Sequence, residues 1–233
     1  MVEAFSEKVP WRIYILNIFY WLLPAAFLYL GLAIGFPVEM TLFIHIVIEF
    51  VIPKIIIAQF KDSNLFRVEW RINRFDGSAI LGIILGIFFW CLCIFTYWLI
   101  DKVIGWDIED NLMATPIPQN RFLEIITAFY LICVKPYIEE WFWRSYSHYI
   151  FYRSEIDNWL NSILWSTAYV ILAYMWNLEK RGWLAVAIFS TIFGRIQIAI
   201  VGKYGGLAAY MTNLGASFGI MLCYFLEKNK NLG

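Results

Sequence analysis

Long apolar runs separated by short polar stretches set the pattern of the whole chain. A helix needs about 20 mostly apolar residues to cross a hydrocarbon core. Candidate runs lie at Ile13 to Ile34, Glu39 to Gln59, Ser78 to Ile100, Arg121 to Arg153, Trp159 to Trp176, Trp183 to Gly202 and Gly206 to Phe225. Trp and Tyr gather near many of their ends, where their half-polar rings suit the membrane interface. The pattern predicts an all-α, polytopic helical membrane protein of about seven or eight transmembrane helices. No repeat or flexible linker interrupts it, so residues 1–233 read as a single membrane domain.

The count turns on residues 121–153. A single crossing gives seven spans and leaves Lys228 and Lys230 on the far side. A break near Pro136 gives eight and returns the C-terminus, at the cost of two halves of only about 15 residues each. The charge pattern weakly favours the even count. Orientation follows from two loops. Residues 61–77 carry Lys61, Arg67, Arg71 and Arg74, whereas 101–120 sets Lys102 against Asp101, Asp107, Glu109 and Asp110. Positive charge is retained on the cytoplasmic side, which puts the N-terminus and the loop 61–77 there. The start of the chain is too polar for a signal peptide, so the first span is expected to be an uncleaved anchor.

Composition strengthens this picture. Of 233 residues, 61% are hydrophobic and 15% charged, with a mean hydropathy of +0.65. Soluble domains run nearer to about 45–50% and about 25%. Eighteen basic residues balance eighteen acidic ones, which argues against a nucleic-acid partner. Cys91, Cys93, Cys133 and Cys223 lie in apolar runs without zinc-ligand spacing and read as small hydrophobes. No cofactor or metal is expected.

Against that background "KPYIEEWFWRSY", residues 135–146, is anomalous. Each ionisable group at membrane depth costs about 2.5–3.5 kcal/mol even on the lenient insertion scale, so such groups face protein or water. Glu140 and Arg144 are four apart and share a helix face, while Glu139 points about 100° to the side. Two neighbouring carboxylates resist joint ionisation, so one paired acid beside one less tightly held is a workable general base for water. An ion pair that only fixes helix packing is equally compatible with the spacing.

The stretch resembles the first motif, E-E-x-x-x-R after a proline, of the CAAX protease/bacteriocin-processing (Abi) family of helical intramembrane proteins. Pro136, Glu139, Glu140 and Arg144 fall in its places, and Trp143-Arg144-Ser145 stands where the family commonly has F-R-G. The resemblance extends over roughly Leu123 to Leu222, making 121–226 the family-like core and 1–120 a set of N-terminal helices. It implies that the first glutamate activates water with the help of histidines on two later helices, while the last polar residues bind the oxyanion. In the F-x-x-x-H motif Trp165 takes the phenylalanine place and Tyr169 the histidine place, with Tyr174 a less favoured substitute. In H-x-x-x-N, Asn213 and Ser217 take the two positions. Tyrosine titrates near 10 and asparagine not at all, so Tyr169 and Asn213 could hydrogen-bond an oxyanion but would shuttle protons poorly.

Other polar residues admit two readings. His148 is an interfacial side chain or a late catalytic one. His45 and Glu49, four apart and near Lys54, form a local contact or two ligands of a metal site needing a third. Arg195 and Gln197 lie near a helix end, or Arg195 reaches the carboxylates. Asn161, Asn177 and Asn213 are candidates to line the same cavity. Two functions follow from the resemblance. One is a catalytically impaired relative acting as a membrane-complex subunit or scaffold, with the lipid bilayer and other membrane proteins as partners. The other is an active endopeptidase cutting prenylated or membrane-embedded peptides through Glu139, Glu140, Arg144, Tyr169, Asn213 and Ser217. A transporter is disfavoured for want of paired glycine-broken helices. A bacterial plasma membrane, the endoplasmic reticulum and an organelle all suit the chain.

Overall fold

The computed structural model describes residues 11–34, 43–59, 77–99, 121–147, 155–175 and 180–230. The loops 61–76 and 101–120, which carry the expected orientation signal, lie outside the described residues, as do His148, Asn177 and the side chain of Tyr174. Every element described is helical. α1 spans Trp11–Ala33, a π-helical stretch Val47–Val51 leads into α2 (Ile52–Gln59), and α3 spans Gly77–Leu99. α4 (Arg121–Phe129) continues through a π-helical stretch Tyr130–Val134, α5 (Lys135–Glu139) and a second π-helical stretch Glu140–Tyr146. α6 (Glu155–Met175), α7 (Lys180–Tyr204) and α8 (Gly206–Lys230) follow.

Among the described residues, three helical segments are long and apolar enough to cross a membrane: Ser78–Thr96, Leu184–Tyr204 and Gly206–Cys223. On α3 the side chains of Ile80, Ile84, Ile87, Phe88 and Phe95 are more than half exposed, an apolar face consistent with a membrane-spanning helix.

The inner face of α3 packs on α8 through small residues. Gly86 on α3 faces Gly215 on α8, while Gly82, its G-x-x-x-G partner, lies against Ala208 and Met211, and Gly219, the G-x-x-x-G partner of Gly215, against Trp90 and Cys93. A Cβ at Gly215 would stand 2.2 Å from the Gly86 carbonyl oxygen, and one at Gly86 would stand 2.6 Å from that of Met211. Backbones this close exclude any side chain. Dispersion across such a seam is what holds helices together where lipid supplies no hydrophobic drive. Gly205, at a φ of 89°, makes the left-handed turn between α7 and α8, and its N–H closes on the Val201 carbonyl at 3.0 Å.

The expected break at Pro136 is not present. The backbone stays in the right-handed helical region at Val134, before the proline, and at Glu140 beyond it. Proline has no N–H and collides with the carbonyl four residues back, and the wider π-helical stretch Tyr130–Val134 precedes it. Residues 121–147 therefore form one unbroken helical rod. The aromatic excess has an internal use as well. Trp21 of α1, Trp141, Phe142 and Trp143 of the rod, and Leu164 and Trp165 of α6 form one buried cluster around the acidic motif.

Candidate functional site

The π-helical stretch Glu140–Tyr146 carries the acid-arginine motif. Glu139, Glu140 and Arg144 are 3%, 1% and 1% exposed. Each acid has its own set of partners. Glu139 Oε1 accepts from Lys135 Nζ at 2.6 Å. The Tyr169 hydroxyl lies 3.0 and 3.1 Å from its two oxygens. Lys135 also donates to the Tyr169 hydroxyl at 2.8 Å and sits over its ring, 4.8 Å from the centroid. The result is a closed triangle of lysine, glutamate and tyrosine.

Glu140 turns the other way. Its Oε1 accepts from Asn213 Nδ2 on α8 at 3.0 Å. Its Oε2 stands 3.7 Å from Arg144 Nε, an ionic contact beyond hydrogen-bond range. The guanidinium lies over the Trp165 ring at 4.4 Å, a stacking geometry to which a planar cation is suited. Opposite, α7 comes close because residue 194 is glycine. A Cβ there would meet Trp165 at 3.0 Å and Arg144 Nη2 at 3.3 Å.

Glu139, Glu140, Arg144, Tyr169 and Asn213 thus come together from the rod, α6 and α8. Ser217, one turn beyond Asn213, is half-buried and makes no hydrogen bond to either acid among the described residues. Arg195 does not reach the carboxylates. It pairs with Glu155 and lies 5.9 Å from the Trp159 ring centroid, at the partly exposed edge of α6 and α7. Asn161 donates to the Trp143 carbonyl at 2.8 Å and so holds α6 against the motif.

Two groups escaped the motif-based reading. Lys135 lies four residues before Glu139, a spacing that brings side chains together on any helix, yet the family pattern gives that position no role. The second group is a chain of contacts on the N-terminal side. His45 Nε2 meets Glu49 Oε2 at 2.9 Å, and Trp143 Nε1 donates to Glu49 Oε1 at 3.2 Å. His45 Nδ1 lies 2.9 Å from the Tyr130 hydroxyl. The local His45–Glu49 contact is present, and its extension to Tyr130 and Trp143 crosses 85 and 94 residues of sequence. Lys54 takes no part; it lies over Phe50 and Trp141. No group of three or more His, Cys, Asp or Glu with metal-holding geometry occurs among the described residues.

Comparison with protein-family models, curated proteins and solved structures found no match to this chain.

Proposed function

We propose that this chain is a multi-pass membrane protein related to the CAAX protease/bacteriocin-processing family that has lost hydrolytic competence and serves as a subunit or scaffold of a membrane complex. The observation carrying this reading is the state of Glu139. A carboxylate that activates water must have water within reach, whereas Glu139 is 3% exposed and its oxygens are met by the Lys135 ammonium and the Tyr169 hydroxyl. Tyr169 stands where the family has a histidine, and the triangle it completes is a packing device tying the rod to α6. The unbroken rod through Pro136 favours seven crossings, with 121–226 as the core that meets partners within the bilayer.

The test uses the full chain, purified and reconstituted in bilayers with prenylated and transmembrane peptides. Expected is no cleavage above that of Glu139→Gln and Glu140→Gln controls, together with co-purifying membrane proteins that Glu139→Gln releases. Turnover abolished by either substitution would overturn the proposal.

One observation favours a second reading, an active intramembrane endopeptidase. Glu140 keeps Oε2 without a hydrogen bond among the described residues, and Asn213 already touches its other oxygen. In that case cleavage would depend on Glu140.

A further inference from the structure

Buried polar atoms without a hydrogen-bond partner among the described residues include isolated ones such as Trp90 Nε1, but most belong to one group of residues. Glu140 Oε2, all three guanidinium nitrogens of Arg144, Asn161 Oδ1, Trp165 Nε1 and both side-chain polar atoms of Gln197 are buried without a hydrogen-bond partner among the described residues. They belong to neighbouring turns of the rod, α6 and α7. Arg144 contacts Glu140 and stacks on Trp165. Asn161 is one turn before Trp165 and bonded to the residue preceding Arg144. Gln197 is 0% exposed and lies three residues beyond Gly194, whose Cα faces the guanidinium.

The chemistry of these atoms discriminates between occupants. Arg144 and Trp165 are donors only, the Glu140 carboxylate and Asn161 Oδ1 are acceptors, and Gln197 offers both. A bound anion would satisfy the donors and repel Glu140. A metal cation would satisfy the acceptors and repel Arg144. Water both donates and accepts, and buried water settles where two to four polar groups converge. The opposite charges of Glu140 and Arg144 already offset each other, so a neutral occupant adds no uncompensated charge.

We propose that Glu140, Arg144, Asn161, Trp165 and Gln197 enclose a cluster of ordered water within the membrane domain, a hydration site on the Glu140 side of the acid pair. Glu139 faces away into its lysine and tyrosine, so Glu140 is the carboxylate with a lone pair turned to water. The site does not depend on whether the chain cleaves anything. It does specify that water-dependent chemistry at the motif would run through the second glutamate.

Solid-state NMR that transfers magnetisation from water to protein tests this on the full chain in lipid bilayers. The Arg144 guanidinium and Gln197 amide are expected to receive water magnetisation at least ten times faster than side chains on the lipid face of α3, such as Ile84. Gln197→Leu, which removes two N–H donors and one acceptor oxygen without adding charge, should slow the transfer to Arg144 severalfold. Transfer to Arg144 as slow as to Ile84 would overturn the proposal, and so would transfer unaltered in Gln197→Leu. The first comparison needs only the unsubstituted protein, so it stands even if the variant fails to fold.

Discussion

Lys135 and Glu139 face each other where a lone charge of either sign is costly, and this makes their pairing measurable. Breaking a buried ion pair from one side typically costs about 3–5 kcal/mol, because the remaining charge is uncompensated. Lys135→Met should fall near the lower end of that range, since the lysine side chain is 20% exposed while the glutamate is 4% exposed. Adding Glu139→Gln should recover more than half of the loss. Unfolding of the single and double variants in detergent would give the coupling, and additive losses would mean that the two charges do not stabilise each other. At this scale legibility depended on separation along the chain. Glu140 and Arg144 were readable because four residues apart is a local relation. Tyr169 and Asn213 were readable only through the family resemblance, because α6 and α8 supply them from 30 and 73 residues beyond the acids they touch. Lys135 stands to Glu139 in the same local spacing as Arg144 to Glu140, yet the motif gives it no role. Of the two readings of Arg195, the reach to the carboxylates is not realised, because its partner Glu155 lies 40 residues away at a helix start.

Among the elements, α8 links the seam with α3 to the acid site. Asn213, which holds Glu140, is two residues from Gly215, where α3 and α8 come closest. Gly215→Ala should therefore do more than weaken packing. Its Cβ would lie 2.2 Å from a backbone oxygen, so the helices must part, with an overpacking cost of about 1–3 kcal/mol. The Asn213–Glu140 bond should be lost with them. Gly202→Ala is the matched control, because a Cβ there meets nothing within 4 Å. Thermal unfolding of the two variants should separate them clearly, and equal midpoints would show that the seam tolerates a methyl group. The two G-x-x-x-G spacings are plain in the sequence, but which helices pair is decided by tertiary packing. The π-helical stretches are less legible still. They alter the hydrogen-bond register of a rod whose apolar pattern looks the same in either form, and only Pro136 hints that the register must give.

For the molecule as a whole, the hydrophobic pattern was most informative where a helix meets lipid and least where it meets protein. α3, α7 and α8 stand out because a helical stretch of 18 or more residues with so high a mean hydropathy has few other uses. The rod 121–147 mixes buried acids, lysine and arginine with tryptophan, so hydropathy alone does not separate a membrane crossing from a polar core enclosed by other helices. That distinction makes a prediction about α3. Ile84 is 57% exposed on the face turned away from α8. If that face is lipid-solvated, Ile84→Arg places a cation in hydrocarbon at about 2.5–3.5 kcal/mol on the insertion scale. The partition equilibrium of α3 between membrane-integrated and translocated forms, measured in the full chain, should then shift against integration by at least about tenfold. Ile84→Leu should leave it unchanged. Full insertion of the arginine variant would mean that neighbouring groups or water, rather than lipid, accommodate this position. The outer face of α3 would then have to be reassigned from bilayer solvation to a polar environment.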